Sequence, residues 1–182
     1  MFGQVPLLID GDKKIVQTRV IARYLATKLG LCGNGTEDDV LLCDQLFEGT
    51  EDIYEALWPA CAKYRGGNSE QLEKVLAPGG NVHKYLVKFD KMLTDRTFLL
   101  GDSLTYADLA LYNVLTVTSA IDVDQYLGQH FPNIRKHYSA VGMSPHLLLA
   151  TLHTYSAQSR ACTTPHPPEG HVKVKASLTP IP

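Results

Sequence analysis

The fold is decided by Gly3–Leu25, GQVPLLIDGDKKIVQTRVIARYL. Its opening, QVPLLI, is rich in residues that favour strands. Asp10-Gly11 follows, and Asp-Gly is a strong signal for a two-residue hairpin turn, because glycine accepts a positive φ without steric cost. The segment KIV then supplies the return strand. From Thr18 the period changes: Val20, Ile21, Tyr24, Leu25 and Leu29 recur at helical spacing, with Arg19, Arg23 and Lys28 between them. Two details stand out in this strand–turn–strand–helix unit. Pro6 sits in the first strand, where it reads either as an edge-strand proline with a trans bond or as a cis proline at a special turn. Thr18 stands where the second strand becomes the helix. Its hydroxyl can cap the helix, or it can donate to a carboxylate held at the positive end of the helix dipole.

Working outward, Gly30 to Gly35 holds three glycines and an asparagine, which end the helix and make a linker. Beyond it no strand pair is expected. TEDDVLLCDQLFEGTEDIYEALWPA starts acidic, as a helix N-terminus favours, and then carries apolar residues at helical spacing. SEQLEKVLAPGGNVHKYLVKFDKML is a further helical stretch, broken at Pro78-Gly79-Gly80. SLTYADLALYNVLTVTSAI opens with a capping box, in which Thr105 and Asp108 satisfy each other's backbone groups. VDQYLGQHF and PNIRKHYSAVG are two more short helices, the second with Pro132 in its first turn, and SPHLLLATL is a last one. From about Ser156 the chain turns proline-rich and aperiodic, the composition of a disordered tail.

A two-stranded hairpin is marginal alone, so the first unit looks incomplete, as if strands before Met1 were absent. The expected division is a partial β-hairpin-helix domain over 1–30, an all-helical domain over 36–155 and a tail over 156–182. The fold class is mainly α.

The bulk numbers exclude several functions. The 182 residues carry a formal net charge of -2 and no basic stripe, so nucleic acid is not an expected partner. No apolar run approaches the ~20 residues of a membrane span. No charged-then-apolar leader follows Met1, which points to a cytoplasmic protein. Cys32, Cys43, Cys61 and Cys162 match no zinc or redox spacing and read as free thiols. The histidines show no metal spacing either, so no metal is expected.

Three motifs, QVPLLIDGDKKIVQTRVIARYL, FLLGDSLTYADLAL and FPNIRKHYSAVGMSPHL, together resemble the cytosolic glutathione transferases over roughly residues 1 to 150. The group resembled is alpha, mu, pi and sigma: MF before GQVP and VQTR lean towards alpha and mu, and IARYLA towards sigma. The resemblance implies a thioredoxin-like domain followed by an all-α domain. Residues 1–30 match only the third strand, fourth strand and third helix of that first domain. The segment that carries the family's catalytic Tyr or Ser has no counterpart here, so no catalytic residue is assigned.

The resemblance also implies a glutathione site. Val5 would offer main-chain groups to the cysteinyl part of glutathione, with Pro6 as a cis-proline. Gln17 and Thr18 would hold the γ-glutamyl carboxylate. Asp52, or Glu51 by a one-residue shift, would hold the γ-glutamyl ammonium of the partner subunit's ligand. A homodimer follows, with Phe2 inserted into a helical pocket of the other subunit and Arg19 pairing across the two-fold axis with Glu48. Thr105 and Asp108 stay structural. The implied function is conjugation of the glutathione thiolate to apolar electrophiles, a detoxifying transferase reaction with glutathione as co-substrate and no cofactor, impaired in a chain that lacks the early strands. The alternatives are a catalytically silent, crystallin-like dimer and a sigma-type prostaglandin isomerase.

Overall fold

The computed structural model describes residues 5–61, 69–117 and 123–144. Two strands and seven helices follow one another: β1 (Leu7–Asp10), β2 (Lys13–Val16), α1 (Thr18–Leu29), α2 (Glu37–Cys61), α3 (Ser69–Leu76), α4 (Asn81–Met92), α5 (Tyr106–Val117), α6 (Val123–His130) and α7 (Pro132–Gly142). The described residues fall into two compact units, 5–21 and 22–144. Phe2, the segment SPHLLLATL from Pro145 onward and the stretch 156–182 lie outside the described residues.

In the first unit β1 and β2 pair antiparallel, with Leu7 opposite Val16 and Asp10 opposite Lys13. The two-residue loop is therefore Gly11-Asp12, one position later than the Asp-Gly pair itself. Gly11 takes φ +59, the glycine-first loop that matches the right-handed twist of its strands. Leu7 and Ile9 are exposed on this hairpin.

The second unit is all helical. Thr36 starts α2: its carbonyl accepts the Val40 N–H (3.0 Å) and its hydroxyl accepts the Asp39 N–H (3.1 Å). The Asp39 carboxylate accepts the Asn34 N–H (2.9 Å), which ties the preceding loop to the same turn. Helix α2 packs on α3, α4 and α5, and α7 packs on α4, α5 and α6. Their shared core includes Ile53, Leu57, Leu86, Leu111, Leu127 and Ile134, all fully buried. Each such side chain contributes about 1.5–3 kcal/mol on burial, against about 0–1 kcal/mol for an exposed ion pair, so the apolar core holds this unit together. A smaller cluster of Ala26, Cys32, Cys43, Phe47 and Tyr106 joins the end of α1 and the linker to α2 and α5.

The break between α3 and α4 falls at Pro78-Gly79-Gly80. A Cβ on Gly80 would lie 2.4 Å from the Val75 carbonyl oxygen, so the chain can fold back this closely only at glycine. No helix among the described residues is long and apolar enough to cross a membrane.

Candidate functional site

In the hairpin unit, Val5, Pro6, Gln17 and Thr18 are all exposed. The Val5–Pro6 peptide bond is cis. Gln17 joins β2 to α1 in the left-handed region, at φ +74. A non-glycine residue there is uncommon, and such outliers gather at ligand sites. The Gln17 carbonyl accepts the Ile21 N–H at 2.9 Å, which makes Gln17 the capping position and Thr18 the first helical residue. Thr18 is thus displaced by one position from the cap considered above. Its hydroxyl lies in the first turn, where backbone N–H groups have no intrahelical acceptor and the dipole favours an anion. Arg19 follows in the same turn. A hydroxyl and first-turn amides together can bind a carboxylate.

The helical unit holds Asp52 and Glu48 on α2. The exposed Asp52 carboxylate accepts the Tyr85 hydroxyl from α4 at 2.7 Å. That bond raises the Tyr85 pKa above its usual value, since the phenolic proton is the one Asp52 holds. The Lys88 ammonium sits over the Tyr85 ring, 5.5 Å from its centre. One turn before Asp52, a groove of about 220 Å³ lies between α2 and α4, lined by Leu42, Leu46, Gly49, Tyr85, Phe89 and Met92 among others. Leu42 and Met92 are exposed at its rim.

Glu48 pairs within the chain with Arg23, one turn on from Arg19. The Arg23 guanidinium also donates to Asp44 (2.7 Å), lies over the Phe47 ring and has its pKa raised, chiefly by the Asp44 hydrogen bond. Tyr106 donates its hydroxyl to the same Asp44 oxygen. Burial, and then that bond, push the Tyr106 pKa up. Sequence reasoning missed this Arg23–Asp44–Tyr106 cluster. Its one local signal was Arg23 sitting among apolar neighbours at helical spacing.

Thr105 and Asp108 are fully buried. One Asp108 oxygen accepts the Thr105 N–H (2.7 Å) and the Thr105 hydroxyl (2.6 Å). The other accepts the Leu99 N–H (2.8 Å) and lies 2.9 Å from Nε2 of the buried His137. No solvent or ligand reaches this knot, and its role is to hold α5, α7 and the preceding turn together. Among the described residues no group of three or more His, Cys, Asp or Glu side chains is placed to hold a metal ion.

Comparison with known proteins gives a consistent answer. The family model for the glutathione S-transferase C-terminal domain matches residues 51–148, and that for the glutathione S-transferase N-terminal domain matches residues 1–27. The chain is 34% identical over 125 residues to glutathione S-transferase 2 of Onchocerca volvulus, covering 66% of this chain and 57% of that protein. It is 35% identical over 116 residues to glutathione S-transferase Mu 1 of Bos taurus, covering 63% of this chain and 50% of that protein. The chain thus spans about half the length of these relatives. Its fold matches the pi-class glutathione S-transferase structure of Onchocerca volvulus with a TM-score of 0.68 at 28% identity, over 90% of this chain and 74% of that one.

Proposed function

Because the chain belongs to the glutathione S-transferase family, we propose that it binds glutathione and serves the transfer of its thiolate to an apolar electrophile in detoxification. The observation that carries this is the Gln17–Thr18 junction, where a left-handed residue opens α1 with a hydroxyl in its first turn. The γ-glutamyl carboxylate sits there, with Val5 and Pro6 beside the cysteinyl part. Asp52 takes the γ-glutamyl ammonium of the ligand bound to a second subunit.

A homodimer follows from that last role. The groove between α2 and α4 supports it, because an apolar slot of about 220 Å³ between helices suits an inserted aromatic such as Phe2 of the other copy. Such an anchor in a pocket is the usual source of interface energy. Arg19 and Glu48 belong to the same interface.

Chemistry needs the thiolate, and a thiol with a pKa near ~8.5 is only a few per cent ionised at pH 7. A hydroxyl hydrogen bond to that anion supplies about 1.5–3 kcal/mol, or one to two powers of ten in rate. At the junction the Thr18 hydroxyl is given to the carboxylate, so the thiolate takes its hydrogen bond from a donor other than Thr18.

Calorimetric titration of glutathione into the 182-residue chain tests this. Binding that falls about tenfold in Thr18→Ala is the expected result. Absence of glutathione binding to the wild-type chain, or undiminished binding in Thr18→Ala, would overturn the proposal.

A further inference from the structure

We propose that Tyr85 is the positioning residue for Asp52, holding that carboxylate in the orientation in which it receives the γ-glutamyl ammonium. This rests on the glutathione reading above and adds to it a residue from a different helix. Asp52 lies on the exposed face of α2, where a short carboxylate turns freely between rotamers. The Tyr85 hydroxyl takes one of its oxygens, Oδ2, at 2.7 Å. A carboxylate has about four acceptor positions, so this one bond fixes the group and leaves the other oxygen to a cation.

The phenol suits the task better than a lysine would. It donates a proton without neutralising the carboxylate, so the negative charge that attracts an ammonium is retained. The Tyr85 ring is itself steadied. It lines the α2–α4 groove beside Gly49 and Phe89, and Lys88 lies over it. One side chain therefore belongs to both features: its ring forms a wall of the groove and its hydroxyl fixes Asp52. A second copy seated in the groove would press on the ring whose hydroxyl orients the ammonium acceptor.

The test compares two ligands, glutathione and des-amino glutathione, in which hydrogen replaces the γ-glutamyl amine. Each is titrated calorimetrically into the wild-type chain, Tyr85→Phe, Asp52→Asn and the double variant. Tyr85→Phe should weaken glutathione about 3- to 10-fold, the worth of a partly exposed hydrogen bond to a charged group, and leave des-amino glutathione unchanged. On the Asp52→Asn background, Tyr85→Phe should do nothing more to either ligand. A purely structural tyrosine would weaken both ligands alike, so equal losses overturn the proposal, as does a Tyr85→Phe chain that binds glutathione like wild type. Failure of the wild-type chain to bind either ligand would remove the glutathione reading itself and this inference with it.

Discussion

Cys43 shows what a single buried residue contributes. It is fully enclosed between α1, α2 and α5, and burial pushes its thiol up to about 11 from 9.0, the hydrogen bond with Thr105 opposing that shift. Below pH 9 the thiol keeps its proton in both the folded and the unfolded chain, and its stabilising share is complete. Between pH 9 and about 11 only the unfolded chain loses the proton, so stability falls as pH rises through that window. Urea unfolding of wild type and Cys43→Ala from pH 8 to 11 checks this. The wild type should lose roughly 1–3 kcal/mol more than the variant across the window, and parallel curves would refute it. The Cys32 thiol is likewise raised by burial. Neither cysteine is therefore suited to act as a nucleophile near neutral pH.

At the scale of the helix, α7 borrows its N-terminus from α4. Phe131 occupies its capping position and makes no side-chain cap, and Pro132 opens the first turn. The missing acceptor comes from Asp90. One of its oxygens accepts the Asn133 N–H (2.9 Å) and the Ile134 N–H (3.0 Å), while the other accepts the Asn133 side-chain amide (3.1 Å). Asp90→Ala should cost about 1–2 kcal/mol, the usual value of a lost cap, and lower the melting temperature by roughly 2–8 °C. A calorimetric scan showing no shift would mean that water replaces the carboxylate. This cap explains why the elements were legible in the sequence and their ties were not. The Gly11 turn, the start of α1 at Thr18 and the break before Gly80 all depend on neighbours within a few residues, which local pattern records. Asp90 reaches Asn133 across 43 residues, Tyr85 reaches Asp52 across 33 and Tyr106 reaches Asp44 across 62. Spacing within one helix says nothing about which distant side chain arrives. The Gln17 conformation was hidden for another reason: glutamine is not a residue whose presence signals a left-handed backbone.

For the molecule as a whole, the proposed dimer turns on Gly49. Sedimentation at micromolar concentration should show the wild type as a dimer. Gly49→Leu, which fills the groove with a side chain, should sediment as a folded monomer. A wild-type monomer would refute the dimer, and a dimer untouched by the leucine would place the interface elsewhere. Gly49 sits inside α2, where glycine costs about 1 kcal/mol relative to alanine, so the slot is kept open at the helix's expense. A Cβ at that position would already touch the Phe89 ring, 3.6 Å away. Alanine there would therefore strengthen the helix while making the slot shallower. A glycine codon becomes an alanine codon by one base change. In evolutionary terms a two-subunit state built on this groove would be exposed to the smallest available mutation, and that mutation is favoured by fold stability. Descendants of such a dimer would reach the solitary state without passing through an unstable ancestor, and only selection acting on the paired form itself would hold the glycine in place.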